Sequence, residues 1–69
     1  MLYFKVSYTN YNFIRRNIGV YADTPENAIE MAREYEGNRQ VIEVSAREIP
    51  QDEFLLFPDT AYKNENIRF

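Results

Sequence analysis

Residues 23–37 read DTPENAIEMAREYEG, and this stretch carries the start, the face and the stop of one helix. Thr24 can cap the first turn with its hydroxyl, and Pro25 suits the first helical position, where a missing N–H removes no hydrogen bond. Asp23 and Glu26 sit where the helix dipole favours negative charge. Gly37 offers the left-handed residue on which helices commonly end. Between them Ala28, Ile29, Ala32 and Tyr35 recur at helical spacing as a narrow apolar stripe, with Met31 at its edge. So short a helix is marginal alone in water, and the segments on either side must supply a sheet for it to lie on.

Upstream, Leu2, Phe4, Val6 and Tyr8 alternate with Tyr3, Lys5, Ser7 and Thr9, the period of a strand with one buried face. Asn10, Tyr11 and Asn12 then mark a hairpin, because asparagine side chains bond locally and tolerate left-handed backbone. From Phe13 to Ala22 the alternation resumes, with Ile14, Ile18, Val20 and Ala22 on one face and Phe13, Arg15, Asn17, Gly19 and Tyr21 on the other. Arg16 falls on the apolar side, which predicts a bulge or a position beyond the area the helix covers. Downstream, Asn38 and Arg39 form a short connection to a third strand, Gln40–Ile49, with Ile42, Val44 and Ala46 on one face and Pro50 as its stop. Strands joined by a tight turn are antiparallel neighbours. The third strand can lie antiparallel beside the first or, by a right-handed crossover, parallel beside the second. The apolar first strand suits the centre and favours the spatial order two, one, three. The expected class is α+β: a small ββαβ domain over residues 1–50, with a three-stranded, mainly antiparallel sheet and one helix packed on one face.

Residues 51–69, QDEFLLFPDTAYKNENIRF, form a C-terminal apolar tail. Phe54, Leu55, Leu56 and Phe57 in a row, followed by Tyr62, Ile67 and Phe69, are too many hydrophobes for a free disordered segment. The FLLF cluster reads as a fourth strand or a turn of helix, and it needs cover from its own sheet, from a second copy or from a target protein. The sheet face opposite the helix would carry Tyr3, Lys5, Ser7, Phe13, Arg15, Tyr21, Glu43 and Arg47. Aromatic and basic sheet faces of that kind stack the bases of single-stranded nucleic acids.

Composition narrows the function classes. In 69 residues there is no cysteine and no histidine, so a disulfide framework, a thiolate metal site and the commonest general base are all missing. Ser7 and Ser45 have no base at a telling spacing, Asp52 and Glu53 are adjacent rather than set across a cleft, and two glycines cannot make a phosphate-cradling loop. The expectation is a chain with no catalytic residues, no cofactor and no metal: not an enzyme. Eleven acidic against eight basic residues leave a net charge of −3, which argues against direct nucleic-acid binding. The start MLYFKVSY, with Lys5 inside the apolar run, reads as neither a signal peptide nor a membrane span, and a cytoplasmic location is expected. On the outer face of the helix Glu26, Glu30 and Glu34 make one acidic ridge. Such a ridge is either a solvated face or a means of steering onto a basic partner.

The pattern KVSY (5–8) followed by IGVYADTPENAIEMAREY (18–35) resembles the DpnD/PcfM-like small proteins of phages, plasmids and their bacterial hosts. In these a strand ending in Val-x-Ala-Asp, here Val20 to Asp23, precedes a Ser or Thr cap and a Glu-rich helix with Ala-Ile, here Ala28-Ile29. The resemblance covers roughly residues 5–35 and carries over no functional residue. It implies a mobile-element setting, in which stoichiometric inhibitors of host or rival machinery, anti-CRISPR and other anti-defence proteins among them, are common. Three functions are therefore expected as alternatives. One is a non-enzymatic protein-binding inhibitor or adaptor that occludes a host or rival protein, such as one with a basic nucleic-acid-binding surface. Another is a single-stranded nucleic-acid binder, and the third a homodimeric structural subunit with an exchanged tail. For the first, the expected partner-binding residues are Tyr11, Arg15 and Arg16 at the hairpin, Glu30 and Glu34 on the helix, and Phe54, Phe57 and Tyr62 in the tail.

Overall fold

The computed structural model describes residues 1–37 and 40–62. In chain order these form β1 (Leu2–Thr9), β2 (Arg15–Ala22), α1 (Pro25–Tyr35), β3 (Ile42–Ile49), α2 (Gln51–Phe54) and β4 (Thr60–Tyr62). The strands make one sheet in the order β3-β1-β2-β4. β1 is antiparallel to both β2 and β3, as its apolar alternation suggests, and β4 adds to the outer side of β2 in parallel. The chain is thus a small α+β domain with a mixed four-stranded sheet among the described residues. The expected connection at Asn38 and Arg39, and the tail hydrophobes Ile67 and Phe69, lie outside the described residues.

Helix α1 begins where its caps are. Thr24 is extended, and its Oγ1 accepts the backbone N–H of Asn27 at 3.1 Å while Pro25 opens the first turn. At the other end Gly37 adopts φ +78° and donates its N–H to the Glu34 carbonyl at 2.9 Å. Ala28, Met31 and Ala32 are the buried residues of the helix. The apolar stripe is therefore centred on Met31 rather than Ile29, which is half-buried. Tyr35 lies at the end of the stripe and is exposed, its ring 6.0 Å from the Arg16 guanidinium.

Phe4, Val6 and Tyr8 of β1, Ile18, Val20 and Ala22 of β2, the helix residues and Val41 close one core. Two departures from strict alternation shape its margin. The β1–β2 register runs without a break from Leu2 opposite Ala22 to Thr9 opposite Arg15, so the bulge expected at Arg16 does not occur. Arg16 stays on the core face opposite Tyr8, because acidic partners described below take up its charge. The bulge lies instead in β3, where the pairing shifts between Ser7 and Thr9 and Glu43 takes φ +54°. It turns Val41 into the core and leaves Ile42 exposed, which corrects the expectation that Ile42 shares a face with Val44 and Ala46.

The second face of the sheet is partly covered by α2. Phe54 is 2% exposed, its ring 4.7 Å from that of Tyr3, which in turn lies 4.9 Å from Tyr21. The cover depends on Gly19. A Cβ there would stand 3.0 Å from Phe54 Cδ1 and 3.3 Å from Phe57 Cγ. The segment continues to Asp59, whose carbonyl accepts the Gly19 N–H at 3.0 Å and leads into β4.

Candidate protein-contact site

The turn between β1 and β2 is built on Asn10. This side chain is buried, and its Oδ1 accepts two backbone N–H groups, from Asn12 at 2.9 Å and from Ile14 at 3.0 Å. The backbone of Asn10 adds a bond in each direction, donating to the Ile14 carbonyl and accepting from the Phe13 N–H. An asparagine that satisfies the loop backbone in this way holds the loop in one conformation.

What that loop displays is apolar. Phe13 is 84% exposed, Ile14 55% and Tyr11 45%, and the bulge in β3 brings Ile42, 41% exposed, to the same end of the sheet. Phe13 adopts φ +63°, a region that a bulky aromatic rarely enters. Asn10, Tyr11, Phe13, Gln40 and Ile42 line a half-open hollow of about 170 Å³. That is smaller than the roughly 300–1,000 Å³ of ordinary small-molecule sites. Its lining is part apolar, from Tyr11, Phe13 and Ile42, and part polar, from Asn10 and Gln40. Arg15 borders the tip, donating from Nη1 to the Glu43 carbonyl at 2.9 Å.

The other expected contact residues are dispersed. Glu30 and Glu34 are exposed on the outer side of α1, away from the sheet. Phe54 lies inside, and Phe57 packs toward Gly19. Tyr62 is in β4, opposite Tyr21, and its side chain lies outside the described ones. Leu55 and Leu56, directly after α2, face solvent. Exposed leucines in ones and twos are ordinary on protein surfaces. The residues the sequence reading missed are Asn10 as the organiser and Phe13, Ile14 and Ile42 as the display. Their only sequence signal is a pair of hydrophobes directly after an Asn-Tyr-Asn turn.

Arg16 belongs to a structural clamp. Its Nη2 lies 3.1 Å from Asp59 Oδ2 and its Nε 3.4 Å from Glu36 Oε2, and the Tyr8 hydroxyl donates to that same Glu36 oxygen at 2.6 Å. Burial first, and then the bond and the charge of Glu36, push the Tyr8 phenol far above its ordinary value near 10. Tyr35 is also raised, by burial and by its bond to Asp59. Among the described residues no three acidic side chains are placed to share a metal ion, and no helix is long and apolar enough to cross a membrane. Compared with family models, with curated proteins and with solved structures, the chain matches none.

Proposed function

We propose that this chain is a non-enzymatic protein-binding module that holds its partner through the β1–β2 hairpin tip. The observation that carries the reading is Phe13, almost fully exposed and held in left-handed backbone by a loop tied to a buried asparagine. Tyr11, Ile14 and Ile42 surround it with further apolar surface, the arrangement of an aromatic anchor inside a contact patch. Glu30 and Glu34, exposed on another side, would act by long-range attraction to a basic partner. The packing of Phe54 against Tyr3, and of Tyr3 against Tyr21, speaks against base stacking, because the buried Phe54 ring already occupies part of that aromatic face. In the mobile-element setting that the DpnD/PcfM-like resemblance implies, such a module would act as a stoichiometric inhibitor or adaptor of anti-defence type.

The test is affinity capture from cell lysate, with the wild type, Phe13→Asp and the double variant Glu30→Gln/Glu34→Gln as parallel baits. One stoichiometric protein should survive nuclease treatment and be lost with Phe13→Asp. The double variant should keep that partner, with an association rate lower by about two- to tenfold at low salt and an unchanged dissociation rate. Equal capture by Phe13→Asp, or a catch that nuclease removes, would overturn the reading.

A further inference from the structure

β3 is an edge strand, and among the described residues nothing pairs with its outer side. It is eight residues long, Ile42–Ile49, whereas the opposite edge is the three-residue β4. An open edge of that length is a template for another strand unless something prevents pairing. Charges and a bulge are the usual means, and β3 has both: Glu43, Arg47 and Glu48 are exposed, and Glu43 is the bulged residue. The question is whether these charges exclude every strand or admit one.

We infer that β3 pairs with β3 of a second copy of this chain, antiparallel about a two-fold axis at Ser45, so that two sheets join into one. A two-fold axis at Ser45 sets Glu43 opposite the partner's Arg47, and Arg47 opposite the partner's Glu43. Both belong to the face away from α1: Arg47 is opposite Lys5, and the Glu43 carboxylate accepts from Thr9 Oγ1. On the other face Val44 meets the partner's Ala46, extending two apolar positions that already pack against the core. Neighbouring registers lack this match. An axis at Arg47 would place Arg47 against the partner's Arg47, and one at Ala46 would place Val44 against the partner's Glu48. Like charges directly opposite repel, and opposite charges attract. One register is therefore self-complementary, as an isologous interface requires. The bulge at Glu43 ends the regular ladder there, so only the central pairs from Val44 to Ala46 need ideal geometry, and the long side chains of Glu43 and Arg47 bridge the rest. Arg47 already lies 3.5 Å from Glu53 of its own chain. Both carboxylates can share one guanidinium, which has five N–H donors.

This inference is independent of the hairpin tip and is tested by a charge swap. Sedimentation equilibrium of the full chain, taken to millimolar concentration, should show a monomer–dimer equilibrium. Glu43→Arg alone and Arg47→Glu alone should each weaken the dimer by about tenfold or more. The double variant Glu43→Arg/Arg47→Glu should restore it, because the pairs re-form with signs exchanged. Circular dichroism checks that each variant is folded. Glu53→Gln removes the internal ion pair without touching the edge and should leave the dimer intact. A wild type that stays monomeric throughout would overturn the inference. So would a double variant no better than the singles, or a dimer that Phe13→Asp dissolves and Arg47→Glu does not.

Discussion

Phe13 holds a conformation that costs energy. A non-glycine residue in left-handed backbone is disfavoured by about 1–2 kcal/mol, because its Cβ crowds the following carbonyl. Here nothing buried compensates, since the ring projects into solvent. The compensation comes from Asn10, whose Oδ1 binds the N–H groups on both sides of Phe13, those of Asn12 and Ile14, and whose carbonyl accepts the N–H of Phe13 itself. Strain that the surroundings impose on an exposed aromatic is a reason to look for function there. It also separates folding from function in one substitution. Phe13→Gly should leave the fold as stable as the wild type or more stable by up to about 1 kcal/mol, the released strain being partly offset by the chain entropy of glycine. The same variant should bind the partner no better than Phe13→Asp. Urea denaturation gives the first quantity and binding to the captured protein the second. A loss of more than about 1 kcal/mol would mean that the ring supports the fold.

At the scale of elements, the sheet accepts α2 because Gly19 leaves room for it. The Cβ of an alanine there would meet Phe54 at 3.0 Å and 3.2 Å and Phe57 at 3.3 Å, and the opposing atoms belong to rigid rings. Gly19→Ala should cost about 1–3 kcal/mol, the usual range for overpacking. The loss should appear as faster proteolysis between residues 50 and 59 and a weaker near-ultraviolet signal from the Tyr3, Tyr21 and Phe54 rings. An unchanged protein would show that α2 rides on the sheet loosely. Elements set by local chemistry were legible in the sequence: Thr24, Pro25 and Gly37 bound the helix through contacts within a turn of each. The place of β1 between β2 and β3 followed from its apolar alternation. What was hidden depends on residues far apart. The left-handed turn at Glu43 exchanges the faces of Val41 and Ile42, and no local residue type announces it. Arg16 looked like an interruption of β2 because Glu36 and Asp59, which hold it, are 20 and 43 positions away. Tyr11 and Arg15 at the tip were legible as hairpin residues. Phe13 was assigned to the open sheet face because alternation was carried two residues too far, into a turn that Asn10 bends.

Across the whole molecule the clamp of Tyr8, Arg16, Glu36 and Asp59 joins pieces that the backbone ladder does not. Tyr8 belongs to β1, Arg16 to β2, Glu36 caps the C-terminal end of α1, and Asp59 precedes β4. Together they fix the helix end and the approach to the fourth strand onto the central hairpin. This gives stability a pH dependence whose sign can be worked out. The folded chain holds the Tyr8 phenol neutral well beyond the pH at which an unfolded tyrosine ionises, near 10. The contribution is complete below about pH 10, and it is lost as pH climbs from there through the raised folded value, because only the unfolded state then releases the proton. The slope from this one group is at most about 1.4 kcal/mol per pH unit. Tyr35, raised in the same direction but more exposed, adds to the fall. Tyr8→Phe should therefore be less stable than the wild type at pH 8 by about 1.5–3 kcal/mol, the value of a hydrogen bond to a charged group. It should also lose stability less steeply above pH 10, so that the two curves converge. Urea denaturation at pH 8, 9, 10 and 11, with tyrosine ionisation followed by absorbance, measures both quantities. Parallel curves would mean that Tyr8 ionises as freely in the folded chain as in the unfolded one, and the clamp would then owe its strength to Arg16 and its carboxylates alone.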